Sequence, residues 1–181
     1  KILMSQNEHF PERAAERFVK GEVKSVQDAL QGARDIIAEW MSENAALRAR
    51  LRQLFHREAK VASKMVKGKD EEGEKFRDYF KYEELVKRIP SHRFLAIMRG
   101  EKEGFLRVGI APATESANQL LERFFVKGET GSSDEVRLAA KDAYKRLLQP
   151  SLETEMRNHL KEQSDTKAIS VFAENLRQLL M

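Results

Sequence analysis

The residues with the clearest chemical potential are the basic side chains that cluster between Ala45 and Lys69. This segment contains eight lysines and arginines and one acid, Glu58, so it carries a net charge of +7 while the rest of the chain carries −3. Its basic residues are Arg48, Arg50, Arg52, Arg57, Lys60, Lys64, Lys67 and Lys69. Such groups neutralise phosphates with strong salt dependence and little sequence selectivity. The asymmetry therefore predicts a surface that contacts the backbone of RNA or DNA.

Further cations follow the basic segment and would enlarge this surface. Arg93, Arg99 and Lys102 lie in a predicted helix, and Arg107 lies in a predicted strand. Two other interpretations stay open, because charge runs are most often solvated helix faces. The arginines would then simply face water, or they would bridge neighbouring domains of a longer protein.

Other residue types give no catalytic pattern. The four histidines are scattered, without the spacing of a metal motif. The segment GETGSS (128–133) lacks the GK[ST] ending of a phosphate loop and is better explained as a helix-capping loop. Consecutive carboxylates at 70–72 and 83–84 have no nucleophile beside them in the sequence. We therefore predict no catalytic residue, no metal and no cofactor, and expect that the chain is not an enzyme.

Composition limits the class of protein. A chain of 181 residues forms one generous domain or two small ones. The absence of cysteine excludes a disulfide framework and a thiolate zinc site, and agrees with a reducing compartment. No apolar run approaches the roughly 18 residues of a membrane span, and the first residues, KILMSQNEHF, lack a secretory pattern. We expect a cytoplasmic protein with no membrane contact.

The central stretch from Lys67 to Val108 is the part that should position these cations. Phe76, Tyr79 and Phe80 recur at helical spacing, which places the three rings on one face. With Tyr82 they could stack on bases, but the spacing favours packing in a core. Ser91, directly after Pro90, is the predicted N-cap of the next helix.

Helices are predicted on both sides of this stretch. Ser25, with Asp28 three residues on, should cap a strongly periodic helix whose largest buried side chain is Trp40. Ser42 is the predicted cap of a second helix, over 43–58. Later helices are expected from about 115 to 126 and from a capping box formed by Ser132 with Glu135. Pro150 should break or kink the chain, and 150–181 form either one helix or two.

Two segments alternate apolar and polar residues as strands do. Residues 59–67 and 105–110 both have a period of two, and we expect them to pair because a lone strand leaves its backbone groups unsatisfied. The predicted fold class is therefore mainly α and multihelical, with a small two-stranded antiparallel β element.

Three runs carry a resemblance to a known family: GARDIIAE (32–39), KGKDEEGEKFRDYF (67–80) and RIPSHRFLAIMRGEKEG (88–104). They resemble the Tex family of bacterial transcription accessory proteins, which are similar to a eukaryotic elongation factor and histone chaperone. The resemblance covers nearly the whole chain and is weakest over the first two dozen residues. It implies a helical region that precedes an RNase-H-like domain, helix-hairpin-helix repeats and a C-terminal OB-type RNA-binding domain, so no catalytic residue is carried over.

The resemblance and the patterns together predict three consecutive segments. These are an N-terminal helical segment (1–58), a hub with the β element and helix-turn-helix-like helices (59–112), and C-terminal helices that lead towards the RNase-H-like domain (113–181). The predicted function is a scaffold associated with sequence-nonspecific RNA or DNA binding. The alternative is a protein-interaction module without nucleic-acid contact, which docks through exposed apolar residues such as Leu179 and Leu180. The expected partners are nucleic-acid backbone, the remaining domains of a longer protein and, as the resemblance implies, the transcription machinery.

Overall fold

The chain is mainly α-helical in the computed structural model, which describes residues 1–69 and 71–180. The helices are α1 (Ile2–Ser5), α2 (Pro11–Ala15), α3 (Val26–Glu43), α4 (Ala45–Glu58), α5 (Ser91–Lys102), α6 (Thr114–Phe125), α7 (Gly131–Asp142) and α8 (Gln149–Leu180). The strands are β1 (Lys60–Met65), β2 (Lys81–Leu85) and β3 (Leu106–Ala111). The predicted fold class is confirmed. Across the described residues, no helix is long and apolar enough to cross a membrane.

The chain folds into two compact units, each of which combines separate stretches of sequence. The first unit consists of Lys1–Arg52 and Thr114–Ser151, and the second consists of Gln53–Ala113 and the chain from Leu152 onwards. The division into three consecutive segments (1–58, 59–112 and 113–181) that the sequence suggested stays a prediction.

In the first unit, α3 is held by its cap and by a buried stripe. The Ser25 hydroxyl accepts a hydrogen bond from the Asp28 N–H at 3.0 Å, as predicted. The prediction for Trp40 is wrong, because its side chain is 54% exposed. Ile37 and Met41, one helical turn apart, form the buried stripe, whereas Ile36 and Trp40 form the next stripe round the helix and face solvent.

Two helices in the first unit begin at other caps than the sequence suggested. Ser42 does not cap α4; it lies inside α3, and Asn44 accepts a hydrogen bond from the Leu47 N–H at 2.9 Å instead. Similarly, α7 is capped by Thr130, whose hydroxyl accepts from the Ser133 N–H at 3.2 Å, and Ser132 is buried. In both cases a neighbouring side chain with the same acceptor chemistry reaches the free N–H groups.

The second unit is organised around a sheet with the strand order β2-β1-β3, in which both neighbours of β1 are antiparallel to it. The predicted pairing of the two alternating segments is confirmed, with Val61 opposite Ile110. The third strand, β2, was not predicted. Its sequence, KYEEL, has no clear apolar alternation and follows directly on the aromatic cluster.

The aromatic cluster before β2 is a short 3-10 segment, Glu74–Tyr79, and not an α-helix. Phe76 is buried in it and lies 5.9 Å from the ring of Phe105, so its predicted role in core packing is confirmed. The next helix, α5, starts at Ser91, but its N-cap is Pro90 and no side chain caps it. The predicted Ser91 cap is therefore wrong.

The chain from Gln149 to Leu180 forms one helix, which decides the alternative left open by the sequence. Pro150 is the second residue of α8, and helical conformation runs through it. The irregularity lies just before it, in the π-helical stretch Ala143–Leu148, where the Gln149 N–H bonds to the Tyr144 carbonyl. A π-helical turn is one of the ways in which a helix accommodates a local distortion.

Candidate nucleic-acid interface

Strand alternation gives the sheet an inner face and an outer face. Val61, Ser63, Leu106 and Ile110 are buried on the inner face. The outer face consists of the alternate residues: Lys60, Ala62 and Lys64 in β1, Lys81, Glu83 and Leu85 in β2, and Arg107, Gly109 and Ala111 in β3. Because Lys60, Lys64, Lys81, Glu83 and Arg107 are exposed, this face presents its charged side chains to solvent.

Three cations lie directly opposite one another on the outer face. Lys64 is paired in register with Lys81 on one side and with Arg107 on the other. We call these three residues the basic row. Within the part of the chain that the structure describes, none of the three forms an ion pair. Like charges placed directly opposite in a sheet destabilise it, so the basic row costs stability unless an anion binds there.

Most of the other predicted cations in the second unit are paired with carboxylates. Lys60 pairs with Glu83, and Arg57 pairs with the adjacent Glu58 at 2.7 Å. In addition, Arg93 lies 3.5 Å from Glu84, and Arg99 lies 2.8 Å from Glu103. Since their charges are partly satisfied within the chain, these four are weaker candidates for phosphate contact than the basic row.

The arginines of α4 that lie in the first unit differ in solvent exposure. Arg48 is half-buried, and its guanidinium donates to the Ser42 carbonyl at 3.1 Å and to the Ser151 hydroxyl at 2.7 Å. Arg50 and Arg52 are exposed. Arg48 therefore joins parts of the first unit, and of the three Arg50 and Arg52 are the more accessible.

The remaining predicted cations lie beside the sheet and on α5. Lys67 is exposed in the loop after β1, and the Lys69 ammonium lies 5.7 Å from the centroid of the Phe105 ring. Lys102 lines a cleft with Arg99 and Lys161, but Glu103 lines the same cleft. The cleft thus offers a mixed charge.

Two carboxylates in the second unit, Glu84 and Glu103, are held by neighbouring side chains. Tyr82 donates a hydrogen bond to Glu84, and burial together with this bond raises the pKa of Tyr82. Lys75, at 2.5 Å, and Arg99 lower the pKa of Glu103. Glu84 occupies an inner-face position of β2 and Glu103 follows the last residue of α5, so neither carboxylate belongs to the outer face of the sheet.

Sequence reasoning missed two features of the second unit. Lys81 was overlooked because β2 was not recognised as a strand. The position of Lys81 opposite Lys64 could therefore not be inferred from the sequence. His56 and His159, distant in sequence, lie with ring centroids 5.2 Å apart. The described residues contain no group of three or more His, Cys, Asp or Glu side chains that could hold a metal ion.

Comparisons with known proteins agree on one family. The family model described as Tex central region-like matches residues 6–172. The chain is 37% identical to the transcriptional accessory protein Tex of Neisseria gonorrhoeae over 99% of its own length and 25% of that protein. It is 36% identical to protein YhgF of Escherichia coli, with the same coverage of both chains. It is 29% identical to S1 RNA-binding domain-containing protein 1 of Homo sapiens, over 90% of this chain and 18% of that protein. The chain thus spans about a quarter of the length of the bacterial relatives it matches.

Proposed function

Since this chain belongs to the Tex family, whose central region it matches, we propose that it is a non-enzymatic segment of a transcription accessory protein that contacts nucleic-acid backbone without sequence selectivity. The names of two relatives support the two parts of this proposal. One is named a transcriptional accessory protein and another an S1 RNA-binding domain-containing protein. The segment would act in the cytoplasm, as part of a longer protein and beside the transcription machinery.

The observation that carries the proposal is the register of Lys64 opposite Arg107. Both cations are exposed, both belong to the basic surface expected from the sequence, and neither has an ion-pair partner among the described residues. Cations held side by side on a rigid sheet are suited to bridging phosphates. They supply affinity through counterion release and read no base identity.

The experiment is a titration of labelled single-stranded RNA and labelled duplex DNA with the purified chain at a series of salt concentrations. We expect dissociation constants of roughly 1–100 µM near physiological salt, which weaken steeply as salt rises. Arg107→Glu should weaken binding to every sequence tested. The matched control is Lys141→Glu, which makes the same charge change at an exposed position of the first unit. Absence of binding at the lowest salt concentration would refute the proposal.

A second candidate function is favoured by the far end of α8. Its apolar side chains there are strongly exposed: Ile169 (69%), Val171 (53%), Phe172 (63%), Leu179 (82%) and Leu180 (85%). The relatives have about three quarters of their length outside the matched region. We propose as the alternative that this end of α8 docks onto another part of the longer protein, and that the segment is an interaction module.

Hydrogen exchange separates the two candidates. If α8 docks, the amides of residues 169–180 exchange more slowly in a full-length Tex-family protein than in this chain alone, and Leu179→Ser with Leu180→Ser removes the difference. Equal exchange in the two proteins would exclude the docking role. Neither result affects the binding titration, because these leucines lie outside the basic row.

A further inference from the structure

We infer that the outer face of the sheet is a binding site for the phosphate backbone of double-helical nucleic acid, with Lys81, Lys64 and Arg107 contacting successive phosphates. This inference rests on the proposed function and narrows it in two respects. It assigns the contact to three side chains on three strands, one of which, Lys81, the charge pattern of the sequence did not reveal. It also names the structural class of the ligand.

The geometry of the basic row suits a run of phosphates. Neighbouring strands lie about 4.8 Å apart, so the row crosses roughly 10 Å of the sheet from β2 through β1 to β3. All three side chains leave the same face, since their positions are in register. The strands are joined by backbone hydrogen bonds, which hold the three cations in place before a ligand arrives and reduce the ordering cost of binding.

The rest of the outer face leaves the row accessible. Next to Lys64 and Arg107 along the strands lie Ala62 and Gly109, which face each other in register. A Cβ built at Gly109 would meet no atom within 4 Å, so this part of the face is open. The carboxylate on this face, Glu83, is paired with Lys60 and does not neutralise the row. The phosphate backbone of a nucleic acid can therefore approach the sheet closely.

The residue types on this face favour a duplex over a single strand. Proteins that bind single strands usually stack the bases on aromatic side chains. The outer-face positions of the three strands carry no aromatic residue. The aromatic side chain of β2, Tyr82, belongs to the inner-face positions, where it bonds to Glu84 and packs edge-on against Tyr79. Within the three strands this face therefore has cations and no stacking residue, which fits a double helix that turns its bases inward and its phosphates outward.

The test compares three forms of the purified chain: the unmodified protein, the row variant and a control variant. The row variant is Lys64→Gln, Lys81→Gln, Arg107→Gln. The control variant, Arg17→Gln, Lys20→Gln, Lys24→Gln, removes the same charge from exposed positions of the first unit. The probes are a short blunt-ended duplex of mixed sequence, made as DNA and as RNA, and the separate strands of each. Circular dichroism checks that all three proteins are folded.

We expect the unmodified chain and the control variant to bind the duplexes more tightly than the strands. The row variant should lose roughly 100-fold in duplex affinity near 0.1 M salt, and its slope of log K against log salt should be about three units shallower on duplex DNA, one for each lost phosphate contact. Comparison of the DNA and RNA duplexes shows which helix supplies the phosphates.

The contrary outcomes are distinct from one another. Tight binding that the row variant retains would overturn the inference while the proposed function stands. Binding that depends on the row but is equally tight for single strands would overturn the assignment to duplexes. Absence of binding to any probe would overturn the proposed function, and the inference with it.

Discussion

The Glu153 carboxylate accepts a hydrogen bond from the backbone N–H of Ile110 at 3.1 Å, although the two residues are 43 positions apart in sequence. Arg157, one turn further along α8, donates to the carbonyl of Val108 and pairs with Glu153 at 3.1 Å. Together the two side chains satisfy one donor and one acceptor on the free edge of β3. α8 thus protects this edge of the sheet, which would otherwise be able to pair with another strand.

Arg157 should be the most costly single cation to remove from the second unit. Its guanidinium also pairs with Glu101 at 2.6 Å, so truncation removes a donor from the Glu101 carboxylate, the Glu153 carboxylate and the Val108 carbonyl, of which Glu153 keeps the Ile110 N–H. We expect Arg157→Ala to lower the free energy of unfolding by about 2 kcal/mol, as measured by urea denaturation. Arg157→Lys keeps the charge but not the planar fork, and should recover only part of the loss. If Arg157→Lys matched the unmodified chain, the geometry of the fork would be irrelevant to stability.

Two helical glycines should respond to alanine in opposite directions. At Gly100 in α5, an added Cβ would lie 2.6 Å from the Leu106 side chain, which is itself buried. We expect Gly100→Ala to destabilise the chain by about 1–3 kcal/mol, because this contact must be relieved by shifting the core. At Gly32 in α3 the added Cβ would meet nothing within 4 Å. Gly32→Ala should therefore stabilise by up to about 1 kcal/mol through helix propensity.

Thermal or urea unfolding of the two glycine variants tests this pair directly. Each is the control for the other, because the chemical change and the helical setting are the same. A destabilised Gly32→Ala, or a neutral Gly100→Ala, would show that the packing around α3 or α5 differs from the one described.

Neutralising the centre of the basic row should raise stability while it lowers binding. Lys64 faces like charges on both neighbouring strands, so Lys64→Gln should increase the free energy of unfolding by a few tenths of a kcal/mol at low salt. The gain should shrink at high salt, where the repulsion is screened. Lys20→Gln is the control and should change stability little at either salt concentration. A loss of stability in Lys64→Gln would mean that Lys64 has a structural role.

The pH dependence of stability should include a contribution from Glu103. Lys75 and then Arg99 lower the pKa of its carboxyl in the folded chain, so folding favours the ionised form. The contribution is fully present above the unfolded pKa of a glutamate and is lost as the pH falls through the lowered folded pKa. We expect Glu103→Gln to be less stable than the unmodified chain at neutral pH, and the difference to disappear in strong acid. A difference that persisted in acid would have to arise from packing.

The sequence determined the features that depend on local periodicity. The apolar spacing that follows Ser25 predicted α3 and its cap, and the alternation in 59–67 and 105–110 predicted β1, β3 and their pairing. These signals are strong because strand alternation and helical periodicity depend only on residues that are close together in the sequence. The three runs that resemble the Tex family were likewise read correctly. The charge asymmetry pointed to a basic surface but gave no means of ranking its members.

Tertiary structure decided which side chains are exposed and which cations are engaged in ion pairs. Trp40 is exposed because the direction from which α3 is covered depends on its packing partners, which its own sequence does not specify. β2 has weak alternation and is a strand because β1 offers it a hydrogen-bonding edge. That same edge places Lys81 opposite Lys64, while ion pairs with carboxylates engage Lys60 and Arg93. Register and pairing join residues that are distant in sequence, so only the folded chain distinguishes the basic row from the other cations.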